Sequence, residues 1–180
     1  DAPVISDSVI NMDWSFSFCP KLVNIHPLSN SATTINSTFF GCIGLATTPT
    51  IPNSVINMDS TFFSCYNLTT PPNIPSNVTI MNYTFKYCNN IAGNMHIYSN
   101  NISDATDCFA NCSNYVKNIY AYYGSKTYNT FYNAMGNSTY NSNWNAYLMY
   151  EKMKVLNMNY YAQDNIINYT DQNNSTYSIK

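Results

Sequence analysis

Charged side chains are scarce in this 180-residue chain, where Asp, Glu, Lys and Arg together make up 9% of the residues. An average globular protein has about 25%. The formal net charge is −2 and no run of like charge occurs, so the basic face that binds nucleic-acid phosphates is missing and no nucleic-acid partner is expected. Long apolar runs are missing as well. No stretch reaches the roughly 18 residues that a membrane-spanning helix needs, and no membrane insertion is expected.

Neutral polar and aromatic residues take the place of the charges. About one residue in six is Asn, and 45% of the residues are hydrophobic and 16% aromatic. The chain therefore has enough apolar material for a packed core and is not expected to be disordered. A hydroxyl- and amide-rich, charge-poor composition is typical of secreted and virion proteins, so we expect an extracellular location, at a cell surface or on a virion. Because the chain begins with Asp1 rather than Met, we expect a processed form or part of a longer protein.

The six cysteines do not have the spacing of a disulfide framework. Five of them recur at intervals of 23, 23, 23 and 24 residues, so each occupies one position of a repeated unit. This pattern favours free thiols that are buried as small hydrophobic groups, with bridges between neighbouring units as the alternative. Cys108 lies outside the series and is the one candidate for a local or intermolecular bond. The five regular positions are Cys19, Cys42, Cys65, Cys88 and Cys112.

The same period applies to the apolar residues between the cysteines. Each unit has apolar residues at positions 2, 5, 9, 12, 15 and 21, and a fixed period of this length indicates stacked structural units. We expect these columns to line a shared interior, with the position-9 phenylalanines as one buried column. The five clear units begin at Ser8, Ser31, Ser54, Asn77 and Asn101. The position-9 column is Phe16, Phe39, Phe62, Phe85 and Phe109.

Each unit combines a helical pattern with an extended one. Positions 5, 9 and 12 are four and three residues apart, which places them on one face of a short helical turn. After the Cys the pattern becomes extended, as in residues 68–70, and the Pro-x-Ile-Pro segments at 49–52 and 72–75 cannot continue a helix. In-register stacking of the extended segments predicts a parallel sheet.

The order Val-x-x-Met-x-x-x-Phe-x-x-Cys-x-x-Leu, followed by Ile-Pro, resembles the BspA-like leucine-rich repeats of bacterial and protist surface proteins and of some phage proteins. The resemblance covers residues 8 to about 123. It implies an α/β solenoid, a leucine-rich-repeat-like stack of about six 23-residue coils with a parallel sheet and short helical turns. Members of this family are mostly adhesion or recognition proteins, and the resemblance brings no catalytic motif.

The chain changes character after the fifth unit. A sixth unit is degenerate, with Phe131 at the position of the column phenylalanine and Ala134 in place of the Cys. A stack of coils needs a terminal cap to cover its last apolar face. We therefore predict a repeat solenoid over residues 1–123, and a degenerate sixth unit with a Tyr-rich cap and tail over residues 124–180.

No constellation of residues suggests catalysis or a cofactor. The two histidines, His26 and His96, lie three units apart, or about 14 Å at the strand spacing of a parallel sheet. A shared metal or a joint acid–base role is therefore not expected. The Asp and Cys residues between 104 and 112 lack the paired Cys-x2-Cys spacing of zinc sites. We expect no enzyme, no metal and no cofactor.

Two functions of different kinds fit these observations. The first is a recognition or adhesion module that binds a host protein or a glycan. The second is a structural virion or cell-surface assembly protein with no external ligand, whose partners are neighbouring subunits. Positions 17 and 19, beside the predicted strands, vary between units, as a ligand-facing row would, although a merely solvated face would vary too. Exposed Tyr and Trp suit protein or glycan contacts. The alternative role for the tyrosines is to close the end of the solenoid. The candidate binding residues are His26, Thr47, Thr70, His96, Tyr120, Tyr122, Tyr123 and Trp144.

Overall fold

The computed structural model describes residues 2–112, 117–121, 125–135, 149–150, 159–163, 166–170 and 176–179. The chain forms two compact units, Asp1–Tyr150 and Glu151–Lys180. The boundary between solenoid and cap at residue 123 stays a prediction.

The first unit contains the stacked coils, a short sheet and a helix. Its elements in chain order are β1 (Gly93–His96), β2 (Lys117–Ala121), α1 (Lys126–Met135) and β3 (Met149–Tyr150). The three strands form a parallel sheet in the order β1-β2-β3. The second unit contains β4 (Asn159–Gln163), β5 (Ile166–Thr170) and β6 (Thr176–Ile179), which form an antiparallel sheet in sequence order.

Equivalent positions of successive repeats lie side by side. A chain of parallel bridges connects position 4 of all five units, from Asn11 through Thr34, Asn57 and Ile80 to Asp104. Each step along this chain of bridges is one sequence repeat of 23 or 24 residues, so the coils stack in the register that the sequence predicts. The extended segments pair only briefly before β1, through isolated parallel bridges, and the prolines at 49, 71 and 72 leave few N–H donors there.

The segment before each Cys is a series of turns in the described repeats, and α1 is the only helix in the part of the chain that the structure describes. In the third coil, the N–H groups of Met58, Ser60, Phe62 and Ser64 donate to carbonyls of the next coil at 2.8–3.0 Å. Between them, the N–H groups of Thr61 and Phe63 donate to carbonyls three residues earlier, and that of Asp59 donates to the side-chain Oδ1 of Asn57. A helix would use every N–H within itself. Since half of them bind the neighbouring coil here, turns replace the predicted helical turns.

This alternation requires left-handed backbone at two positions of every coil. Positions 7 and 11 have positive φ in all five units, although only one of these residues is a glycine. Other side chains adopt such backbone at a cost of about 1–2 kcal/mol, which the bonds to the next coil must offset. The residues are Trp14, Phe18, Ser37, Gly41, Ser60, Ser64, Tyr83, Tyr87, Asp107 and Asn111.

The position-9 phenylalanines form a ladder through the interior. Phe39, Phe62 and Phe85 are fully buried, and neighbouring rings stack with their centroids 5.5 Å apart. Phe109 continues the ladder at 5.3 Å. Phe131 of α1 packs against Phe109 at 6.3 Å and is itself buried, so the degenerate sixth unit supplies a ring at the corresponding place.

The first coil differs from the burial that the repeat predicts. Phe16 is only half-buried, although its ring stacks on Phe39 at 5.7 Å. Cys19 is exposed. Both were predicted as core residues. The reason is positional, because among the described residues the first coil has a neighbouring coil on one side only.

Position 8 forms a buried polar column that the apolar pattern does not reveal. The hydroxyls of Thr38, Thr61 and Thr84 donate to carbonyls of the preceding coil at 2.8–3.0 Å. Cys108 occupies this position in the fifth unit and is also buried. The hydrogen bonds satisfy hydroxyls that would otherwise be costly to bury.

Candidate binding surfaces of the repeat stack

The predicted binding residues of the first three coils lie on the extended side of the stack. His26, Thr47 and Thr70 are exposed, and Thr47 and Thr70 are paired by a parallel bridge between adjacent coils. We call this surface the strand row. Its hydroxyl and imidazole groups can form hydrogen bonds with a partner.

The next two members of the prediction, His96 and Tyr120, lie in β1 and β2. His96 is partly buried and its ring stacks on that of exposed Tyr98, with centroids 6.3 Å apart. Tyr120 pairs with His96 in the register of β1 and β2. These two residues are therefore neighbours, whereas His26 is in the first coil. Tyr122, Tyr123 and Trp144 lie outside the described residues.

Only some of the residues at the variable positions 17 and 19 face solvent. Pro49, Pro72, Met95 and Ile119, at position 19 of the second to fifth units, are buried. The prediction of position 19 as a ligand-facing row is wrong for these four coils. Positions 17 and 19 would share one face of a regular strand, so the exposed Thr47 and Thr70 beside the buried Pro49 and Pro72 show that these segments are not regularly extended.

The interior cysteines have no reactive character. Burial raises the pKa of the Cys42 thiol to about 11, and burial also raises the pKa values of Cys65, Cys88 and Cys108. The thiols of Cys42, Cys65 and Cys88 donate to phenylalanine carbonyls of the preceding coil at 3.0–3.1 Å. All six cysteines are free. Because Cys108 is buried, it is not placed for the intermolecular bond that its sequence position suggested.

The acidic residues near Cys108 are used within the stack. Burial acts to raise the pKa of Asp104, but hydrogen bonds from Thr106 and Asn82 outweigh it and lower the pKa of this carboxyl below its usual value. Within the described residues, no three His, Cys, Asp or Glu side chains come together as a possible metal site. No helix in that same part of the chain is long and apolar enough to cross a bilayer.

A second surface, on the turn side of the coils, was not predicted. Six aromatic residues at positions 7, 10 and 11 form what we call the turn-side strip. Its most exposed members are Phe18, with 67% of its surface accessible, and Trp14, with 52%. The sequence does contain a signal, since an aromatic residue directly follows the column phenylalanine in two units. The strip comprises Trp14, Phe18, Phe40, Phe63, Tyr83 and Tyr87.

Five rings of the turn-side strip are in continuous contact. Phe40 and Phe63 stack nearly parallel, with centroids 4.5 Å apart. The rings of Trp14 and Phe18 lie 5.7 and 5.2 Å from that of Phe40, and Tyr87 meets Phe63 edge-on at 5.4 Å. The strip therefore joins four coils into one aromatic surface.

Gly41 makes room within this surface. Its φ is +71°, and a Cβ there would lie 3.0 Å from Cδ1 of Phe18. A larger residue would push the Phe18 ring away from Phe40, so this glycine is needed for both its backbone and its size.

Charged groups beside the turn-side strip form bonds within the chain. Lys86 contacts Asp107 at 2.6 Å and lies 5.1 and 5.8 Å from the ring centroids of Tyr83 and Tyr87. The hydrogen bond to Asp107 raises the pKa of Lys86. At the other end, the Asp13 carboxylate accepts hydrogen bonds within the stack. The surface is thus aromatic and nearly neutral.

Comparison with known families gives one result. A protein-family model described as "BspA type Leucine rich repeat region" matches residues 4–116 and 70–179, with six copies of the repeat. Together the two ranges extend over residues 4–179. No curated protein and no solved structure shows a significant match.

Proposed function

Because this chain belongs to the BspA-type leucine-rich repeat family, we propose that it is a non-catalytic recognition or adhesion module that binds a host protein or a glycan. The resemblance predicted from the repeat is thereby confirmed, and so is the solenoid-like repeat fold that it implies. Proteins of this family are typically surface-associated, are generally not enzymes, and often mediate adhesion or protein interactions. The proposed location is extracellular, at a cell surface or on a virion.

The observation that supports recognition most strongly is the exposure of large aromatic side chains in an ordered row. Trp14 and Phe18 each expose more than half of their surface. Both rings belong to the turn-side strip, which extends over four coils. Trp, Tyr and Phe give large contact areas with few rotatable bonds, which is why they are frequent at binding interfaces. Grouped exposed apolar residues on a soluble domain mark interaction sites.

The repeat architecture explains how such a surface binds. Each coil contributes side chains at a fixed spacing of about 4.8 Å, so a partner meets a regular row rather than a cleft. Of the charged groups beside the strip, Lys86 is paired with Asp107, and Asp13 accepts a hydrogen bond from Thr34. Binding therefore depends on contact area and hydrogen bonds, with weak dependence on salt.

Binding of the full chain to cultured cells, to a panel of cell-surface proteins and to a glycan array tests this proposal. We expect saturable binding that changes less than about twofold between 50 and 500 mM NaCl. If the chain binds none of these and instead assembles with itself in light scattering, the structural assembly function is favoured. A binding that disappears at 500 mM NaCl would contradict the uncharged mode of recognition.

A further inference from the structure

We propose that the turn-side strip, rather than the strand row, is the binding surface, and that its partner is a protein surface presenting uncharged aliphatic and aromatic side chains. This inference rests on the proposed recognition function and specifies its location and partner chemistry. The first argument concerns the orientation of the rings. Phe40 and Phe63 stack at 4.5 Å with planes 4° apart, so each ring covers a face of the other.

Ring edges, not ring faces, are therefore what the middle of the strip offers to a partner. Sugar recognition uses open aromatic faces, against which the C–H groups of a pyranose lie flat. Edges in a row form an apolar ridge, which fits between the aliphatic and aromatic side chains of another protein. Edge-to-face contact is a preferred arrangement of aromatic pairs, and the chain itself shows it where Tyr87 meets Phe63.

Two hydroxyls beside the ridge are already bonded within the chain. The hydroxyl of Ser60 donates to Asp59 at 2.7 Å, and that of Ser37 donates to Asn36 at 2.9 Å. A glycan needs many hydrogen bonds to replace those of its hydroxyls to water. Because these two hydroxyls have partners already, fewer groups remain for a sugar, and an apolar protein surface fits the ridge better.

The distribution of charge near the ridge also favours an uncharged protein surface as the partner. Lys86 is paired with Asp107, and the carboxylate of Asp13 accepts bonds from Thr34 and Asn36. The rings of the ridge carry no charge, so a charged partner group placed directly against them would lose its water without gaining an ion pair. The complementary partner surface is therefore uncharged where it meets the rings.

The chain provides fold-compatible variants for a test. Trp14 and Phe18 have positive φ, at 60° and 54°. Asn tolerates this backbone better than bulky residues do. The fifth coil has Asp107 and Asn111 at the same two positions. The double variant Trp14→Asn/Phe18→Asn therefore removes the two most exposed rings of the strip with residues that the fold accepts.

A displayed library of random peptides, selected on the full chain, is a suitable probe. We expect selected peptides rich in Leu, Ile, Phe and Met and without net charge. Their affinity should fall at least tenfold for Trp14→Asn/Phe18→Asn, as for loss of interface anchor residues. The matched control Thr47→Asn/Thr70→Asn changes two exposed residues of the strand row and should keep the parent affinity. Equal melting temperatures of the variants show that both fold.

Four outcomes would overturn the inference. Peptides that lose affinity only in the Thr47/Thr70 variant would place the site on the strand row, and the proposed recognition function would survive. Selected peptides with a strong net charge would contradict the neutral partner. A neutral oligosaccharide set that binds the parent and not the Trp14/Phe18 variant would make the partner a glycan. A selection that yields no strip-dependent peptide would remove the site from this surface.

Discussion

Two ladders of aromatic rings run along the stack with similar distances between neighbouring rings, but they differ in exposure. Neighbouring rings of the interior column lie 5.3–5.7 Å apart between Phe16 and Phe109. Contacts between rings of the turn-side strip measure 4.5–5.7 Å. Yet Phe62 is fully buried, whereas Phe18 is 67% exposed.

This difference separates the two roles of aromatic residues in the repeat. Hydrophobic stabilisation grows with the apolar area removed from water, and the rings of Phe39, Phe62 and Phe85 are completely removed from it on folding. The rings of the strip keep area that only a partner can cover. The interior column should therefore determine stability, and the strip should determine binding.

The largest expected effect is a loss of unfolding free energy at alkaline pH. It acts on the interior of the stack, through the buried thiols beside the phenylalanine column. Burial raises the pKa of Cys42 to about 11, and it raises the pKa values of Cys65, Cys88 and Cys108. In the unfolded chain a thiol ionises near pH 9. Ionisation therefore stabilises only the unfolded state between pH 9 and the folded pKa. The contribution of the neutral buried thiols to the stability of the folded state is complete below about pH 9. It is lost as the pH rises above this value, by up to about 1.4 kcal/mol per pH unit for each thiol.

Urea unfolding at pH 8, 9 and 10 measures this loss. Cys65→Ala removes one buried thiol and should make the fall in unfolding free energy shallower by up to about 1.4 kcal/mol per pH unit. The same slope in the parent and in Cys65→Ala would show that the thiol is not buried.

The next effect compares two phenylalanines that are adjacent in sequence. Phe62→Ala should destabilise the fold by about 3–5 kcal/mol, because it leaves a cavity in the interior column. Phe63→Ala, at a partly exposed ring of the strip, should cost about 1–2 kcal/mol from lost contact area and ring packing. Chemical denaturation of both variants checks the difference. Equal losses would mean that the two ladders are not distinct.

A smaller effect concerns the left-handed positions beneath the strip. Gly41→Ala should cost about 1–2 kcal/mol, because a Cβ is disfavoured at its positive φ and would press on Phe18. Ser64 is at the same position of the next coil with a φ of 58°. Ser64→Gly should therefore stabilise the fold by up to about 1 kcal/mol. Thermal melting of the two variants should show a lower melting temperature for Gly41→Ala and a higher one for Ser64→Gly. A stabilising Gly41→Ala would contradict this backbone conformation.

The repeat register and the interior columns were predictable from sequence, because an apolar residue recurring every 23 residues has few structural interpretations. The burial of Phe39, Phe62 and Phe85 follows from this recurrence. The turns were not predictable in the same way. Positions 5, 9 and 12 share a face in a helix, but they also share a face in turns whose alternate N–H groups bind the next coil, and the spacing alone does not separate the two.

The turn-side strip escaped prediction for a related reason. Its members occupy position 7, 10 or 11 in different units, so no single column of the repeat is always aromatic. Trp14 and Phe18 both pack on Phe40 of the next coil. That contact depends on where the turns direct the side chains, which is a property of the folded backbone. The residues of the strand row were predicted because they lie beside the strands at positions that vary between units, but this variation did not reveal that position 19 is buried in four coils.

The most direct test of the distinction between the two ladders is the free energy of unfolding of Trp14→Asn/Phe18→Asn. Losing two exposed ring contacts costs about 0.5–1.5 kcal/mol each, and relieving left-handed backbone at two bulky residues returns about 1 kcal/mol each. We therefore predict an unfolding free energy within about 1 kcal/mol of the parent, measured by urea denaturation at pH 7. A loss of about 3–5 kcal/mol, as expected for Phe62→Ala, would show that the turn-side strip is part of the core and would contradict its role as a binding surface.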